Sequence, residues 1–233
     1  TEQPNVWEQN AEYQESEEEI AAEAYIEKVD NNDSLRVANS LYYTKPTGEF
    51  MEVTLFVDDS NKVVKVEEEY NDGSTVSVLT NLFYYKNDTK YASKEYFEQG
   101  EGQSAHFVER VSYYNAEGKP AVTKQRTAQY EDGLVEQLFS VAKPFNADDS
   151  RAFQVLNQEG QWSTTFQGIV RKDAEIWILV GEDREDGYAS ALLVNYITQL
   201  VTQLINNEKS MLGTPVVVQF DKLIGEGLSL IHI

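Results

Sequence analysis

The chain has no cysteine, and that absence removes disulfides, thiolate nucleophiles, zinc-thiolate sites and iron-sulfur clusters in one step. Histidine is nearly missing too, with only His106 and His232. A Ser-His-Asp mechanism needs a histidine base, and His106, between Ala105 and Phe107, reads as an ordinary side chain at the start of a strand. Basic residues are scarce: 19 Lys and Arg stand against 40 Asp and Glu, a formal net charge of −21. Such a surplus repels phosphate backbones and anionic headgroups, so no nucleic-acid partner is expected and basic partners or cations remain open.

Uniformly apolar runs are also lacking. The most apolar stretch, Tyr188 to Ile205, carries Asn195, Thr198, Gln199, Thr202 and Gln203 at helical periodicity, which predicts a packed helix and no membrane insertion. No Gly-x-x-x-x-Gly-Lys-Ser/Thr loop occurs, and the Gly-x-Gly pairs Gly100 to Gly102 and Gly225 to Gly227 lack a strand-to-helix context. No cofactor is expected. Oxygen-rich turns at Asp58-Asp59-Ser60-Asn61 and at Glu182 to Gly187 are the places to look for calcium, but the second lacks the spacing and closing Glu of an EF-hand loop. No metal site and no catalytic residue are assigned.

What the sequence does have is large rings: 14 Tyr, 10 Phe and 3 Trp, enough apolar surface for a folded core in one or two domains. Residues 1 to 33 hold eleven carboxylates against Lys28 alone. Ser16 with Glu19 fits a capping box, and acidic residues in the first turn suit the helix dipole, so a helix from Glu17 to Val29 is predicted behind an acidic tether. The start at Thr1 points to a removed leader or a longer reading frame, and leaves room for a lipid anchor ahead of it.

Between about residues 34 and 133, β-rich runs alternate with turn clusters. Lys62, Lys90 and Lys119 recur at spacings of 28 and 29, each six residues after an aromatic, Phe56, Tyr84 or Tyr113. Polar turns lie between them, so each unit reads as a hairpin. The strands, such as Phe50 to Val57, Val63 to Tyr70, Thr75 to Tyr85, Tyr91 to Phe97 and Phe107 to Tyr114, alternate apolar and polar residues, which predicts one buried and one wet face. Adjacent tyrosines, Tyr42-Tyr43, Tyr84-Tyr85 and Tyr113-Tyr114, then place one ring of each pair outward. Only Gly118 supplies a turn glycine, which argues against tight type I′ turns.

The aromatic, turn, Lys and strand pattern resembles the MORN-like, antitoxin-type hairpin repeats of bacterial proteins, from Phe50 to Tyr130. That resemblance implies an interaction scaffold without a shared catalytic constellation. Residues 134 to 160 read as a helical connector, with Leu134, Leu138 and Val141 at helical spacing and a second helix ending at Leu156. From Gln161 the order becomes strand, strand, strand, helix, strand, with Phe166-Gln167-Gly168 in the first strand and Gly213 ahead of the last. It resembles the small OB-like domains of bacterial envelope proteins over residues 161 to 227, lacking the final strand. Leu193, Ile197, Leu200, Val201 and Leu204 form a stripe expected to face the barrel. Six Lys or Arg against ten acidic residues over 151 to 227 leave no basic groove for nucleic acid. Residues 228 to 233, Leu-Ser-Leu-Ile-His-Ile, resemble a translated sequencing adapter and are set aside, the other reading being a short apolar final strand.

The expected fold is therefore mainly β with minor α: a repeat-built antiparallel β-meander domain and a truncated OB-like β-barrel domain. The expected function is a non-catalytic bacterial envelope protein, periplasmic or secreted, binding a protein or a small ligand through its β domains. Tyr43, Tyr85, Tyr114, Trp162 and Trp177 are the candidate contact residues. The alternatives are a carboxylate-based hydrolase, marked by a carboxylate titrating well above the ordinary range, or the accessory region of a longer enzyme.

Overall fold

The computed structural model describes residues 15–43, 48–74, 77–100, 102–182, 189–217, 221–225 and 228–232. Eight strands pair in chain order as a meander: β1 (Arg36–Tyr43), β2 (Phe50–Val57), β3 (Val63–Asn71), β4 (Leu79–Lys86), β5 (Thr89–Gln99), β6 (His106–Tyr114), β7 (Pro120–Ala128) and β8 (Ser140–Ala142). Chain contacts define two compact units, one of the described residues of Thr1–Arg36, Phe56–Glu69 and Ser77–Asp149, the other of Val37–Leu55, Tyr70–Val76 and Ser150–Ile233.

In the first unit, helix α1 (Glu17–Asp30) begins at a capping box in which Ser16 Oγ accepts from Glu19 N–H and the Glu19 carboxylate accepts from Ser16 N–H. Its buried Ala22, Ile26 and Val29 pack with Tyr84, Ala92, Val111 and Tyr113, which alternation puts on one face of β4, β5 and β6. The expected wet face is corrected by the structure, because the opposite face is covered as well. Phe145 N–H donates to Thr123 Oγ1 at 2.9 Å, Ala147 N–H to the Tyr114 hydroxyl at 3.0 Å, and Lys90 Nζ to Ala147 O at 2.5 Å. The polar half of the alternation, including Ser93, Ser112 and Thr123, is thus buried and hydrogen-bonded to itself and to residues 145 to 149.

The hairpin turns come in two kinds. Asn115 Oδ1 accepts from the N–H groups of Glu117 and Lys119, and Asp58 Oδ1 does the same for Ser60 and Lys62. Both loops then close through a left-handed residue, Gly118 (φ 72°) or Asn61 (φ 61°). Between β4 and β5 the turn is Asn87-Asp88, with φ of 54° and 62°. Two successive positive φ values define type I′, so the argument from missing glycine is corrected: Asn and Asp tolerate the left-handed region that the turn needs. The second helix of the connector stands at Ser150–Leu156, but its first half is corrected. Residues Glu131–Glu136 form a 3-10 turn and Ser140–Ala142 an edge strand, leaving Leu138 and Val141 exposed.

The second unit holds α2 (Ser150–Leu156), β9 (Thr164–Lys172), β10 (Glu175–Gly181), β11 (Ala189–Leu193), α3 (Gln199–Asn206), α4 (Glu208–Met211), β12 (Pro215–Val216), β13 (Asp221–Gly225) and β14 (Leu228–His232). Its sheet runs β12-β9-β10-β11-β14-β13, a partial OB-like arrangement with β11 and β14 parallel. β12 pairs with β9 and β13 with β14, so residues 215–225 supply both ends of the order. The residues resembling an adapter occupy β14. In β9 the register slips at Gln167, and Gly168 takes φ 139°, a conformation that favours glycine. The Glu208 carboxylate accepts the Ile169 N–H at 2.9 Å beside this bulge.

Candidate functional site

The core of the second unit gathers Phe166, Ile178, Val180 and Leu192 from the sheet with Val201 and Leu204 from α3. Thr198 starts that helix, its Oγ1 accepting from Val201 N–H at 3.2 Å. The cap fixes the helix so that Val201 and Leu204 point inward, and this alters the predicted stripe: Ile197 is 65% and Leu200 57% exposed. Leu200 is left at the rim of a cavity of about 250 Å³, floored by Phe166, Ile178 and Val201 and edged by Tyr196 and Val217. Among the described residues no charged side chain lines it. Walls of this kind suit an uncharged ring or short chain, and Tyr196 is the one ionisable side chain among its described lining residues.

Of the five predicted contact residues, Tyr85 and Tyr114 belong to the first unit and Trp162 and Trp177 to the second. Tyr85 and Tyr114, expected outward, are buried at 7% and 5% exposure, a correction that follows from the sheet being covered on both faces. The Tyr85 hydroxyl donates to Asp149 at 2.6 Å, and the Tyr114 hydroxyl accepts the Ala147 amide. The side chain of Tyr43 lies outside the described residues. Trp162 is buried at 5%. Trp177 is half-buried on β10, with its Nε1 donating to Glu175 at 3.2 Å. Sequence reasoning missed the cavity because its rim depends on which residues of α3 turn inward, and an apolar stripe alone does not say where the cap falls.

Charge and titration are concentrated in the first unit. Burial, then their carboxylate partners, push the hydroxyls of Tyr84, Tyr85 and Tyr113 far above the usual phenol range. Glu95 is a carboxylate that titrates above its ordinary value: burial raises it, and Arg110 at 3.3 Å opposes the rise only in part. Near it Glu68 has no exposed surface and accepts from Asn81 Nδ2 at 2.8 Å. Glu95 itself is 9% exposed, so this carboxylate pair is held as a buried structural element and not as an open dyad. Among the described residues no group of three or more His, Asp or Glu is placed to hold a metal ion, and the turn at Asp183 to Gly187 lies outside them. No helix among them is long and apolar enough to cross a membrane. Comparison with protein-family models, with curated proteins and with solved structures finds no match to this chain.

Proposed function

We propose that this chain is a non-catalytic binding protein that takes a small uncharged apolar ligand in the OB-like unit. The cavity carries the reading: about 250 Å³, walled by Phe166, Ile178, Val180 and Leu204, and open past Leu200 and Val217, which are both more than half exposed. Exposed apolar side chains around a concave apolar surface mark a ligand site more often than chance surface composition. The acidic surface keeps the protein soluble and leaves the cavity as the place for an apolar molecule. Placement at the bacterial envelope follows from the sequence resemblance to hairpin-repeat and OB-like proteins there.

Titration with the neutral dye N-phenyl-1-naphthylamine tests this reading. Saturable fluorescence enhancement is expected, lost by about tenfold or more in Leu200→Glu, which sets a charge at the rim without touching the core. Enhancement that is absent, or equal in Leu200→Glu and the parent, overturns it.

A further inference from the structure

We propose that the first unit carries a second site of opposite chemistry, a cavity over Val111 that binds a small organic carboxylate between the ammonium groups of Lys94 and Lys124. The register pairs Lys94 with Val111 and Val111 with Lys124, so the three residues stand side by side on β5, β6 and β7. With neighbouring strands about 4.8 Å apart, the two lysines flank the buried Val111 on one face, and both line the same cavity beside α1. The cavity there is about 330 Å³, with Tyr113 and Phe139 as further walls. That is the lower end of the roughly 300–1,000 Å³ typical of small-molecule sites.

The partners of the two lysines show why an anion fits. Lys94 has a side chain only 19% exposed, yet among the described residues its ion pair is with Glu23 at 3.7 Å, beyond hydrogen-bond length. An ammonium group withdrawn from water without a close acceptor is costly, and a ligand oxygen would relieve that cost. Lys124 is held by Glu19 at 3.0 Å and by Glu15 at 2.9 Å. Glu19 is sealed at 2% exposure, whereas Glu15 and Glu23 are 54% and 43% exposed at the rim. The chain's own rim carboxylates therefore occupy the positions that a ligand carboxylate would take over.

The remaining charges at the site are already engaged. Glu109 accepts from Arg126 at 2.5 Å and from the Tyr96 hydroxyl at 3.0 Å, so it offers little to a ligand cation. In a chain of charge −21 the overall field does not draw anions in. Affinity has to come from contact with Lys94 and Lys124, and the apolar walls select an organic anion over an inorganic one.

Calorimetric titration of the full chain with benzoate at pH 7, beside benzamide and inorganic phosphate, tests the site. Saturable benzoate binding is expected, with benzamide and phosphate each weaker by about tenfold or more, the loss of a charge-assisted bond or of apolar contact. Lys94→Gln is expected to weaken benzoate by about tenfold, and Glu23→Gln, which keeps an acceptor for the Tyr113 hydroxyl that donates to Glu23 while removing the competing charge, to tighten it several-fold. If Lys94→Gln fails to fold by circular dichroism, Glu23→Gln decides alone. Benzoate affinity unchanged in either folded variant, phosphate binding as tightly as benzoate, or no saturable binding overturns the proposal.

Discussion

Beneath α1 the first unit is fastened by charge: Lys65 pairs with Asp30 at 2.8 Å and Glu67 at 2.7 Å, Lys124 pairs with Glu15 and Glu19, and the Tyr84 hydroxyl donates to Asp30. In the second unit the core cluster around Phe166 is wholly apolar. Both clusters are buried, but they differ in what each contact requires. An apolar core tolerates any filling of the right volume, while a buried ion pair requires one partner at one place. The first interior therefore holds the helix on the sheet through particular charged pairs, and the second is filled by apolar side chains alone.

Measurements that separate the two interiors should rank as follows. Phe166→Ala removes a ring with no exposed surface and is expected to cost about 4 kcal/mol, seen by hydrogen exchange as lost protection in β9 and β10 with β4 to β6 unchanged. Lys124→Met strands the buried Glu19 carboxylate, for about 3 kcal/mol by urea unfolding, and adding Glu19→Leu is expected to recover most of it. Recovery is the sharper result, because an apolar pair replaces a buried ionic one without penalty only if the charge served register.

Alkaline pH should set the units apart by a smaller and graded effect. The Lys65 and Lys124 values are raised, so their contribution is complete below about 10.5 and fades as pH rises through the folded values. Tyr84, Tyr85 and Tyr113 act with the same sign: above pH of about 10 the unfolded chain releases phenol protons that the folded chain keeps. Hydrogen exchange between pH 9 and 11 should show β4 to β6 opening while α3 and β10 hold; simultaneous opening would refute the contrast. The smallest effect is that of Ser16→Ala, which deletes half of the capping box and is expected to lower the melting stability by about 1 kcal/mol.

Much of the architecture was legible in the order of residues. The capping box at Ser16 and Glu19, the strand Phe50–Val57 and the strands flanking the Asp58, Asn87 and Asn115 turns follow from local rules and stand close to where the sequence put them, although β4 begins at Leu79 and not at Thr75. The tyrosine pairs were misread for a physical reason. Alternation reports that Tyr84 and Tyr85 point to opposite faces, but not that α1 lies on one face and residues 145 to 149 on the other. Leu138 and Val141 show the reverse error, since helical spacing over two turns is also compatible with a 3-10 turn and an edge strand.

The sequence by itself determined what is settled within a few neighbours along the chain: the acidic balance, the helix start, the hairpin periodicity and the mainly β class with its OB-like order of elements. Tertiary structure alone decided the rest. Which polar groups are buried, how near Glu23 comes to Lys94, and where α3 turns inward to leave a cavity at Leu200 depend on residues far apart in sequence. Local preferences are worth tenths of a kcal/mol per residue, whereas burial of a ring or a charge is worth several, so the long-range contacts choose among alternatives that local signals leave equal.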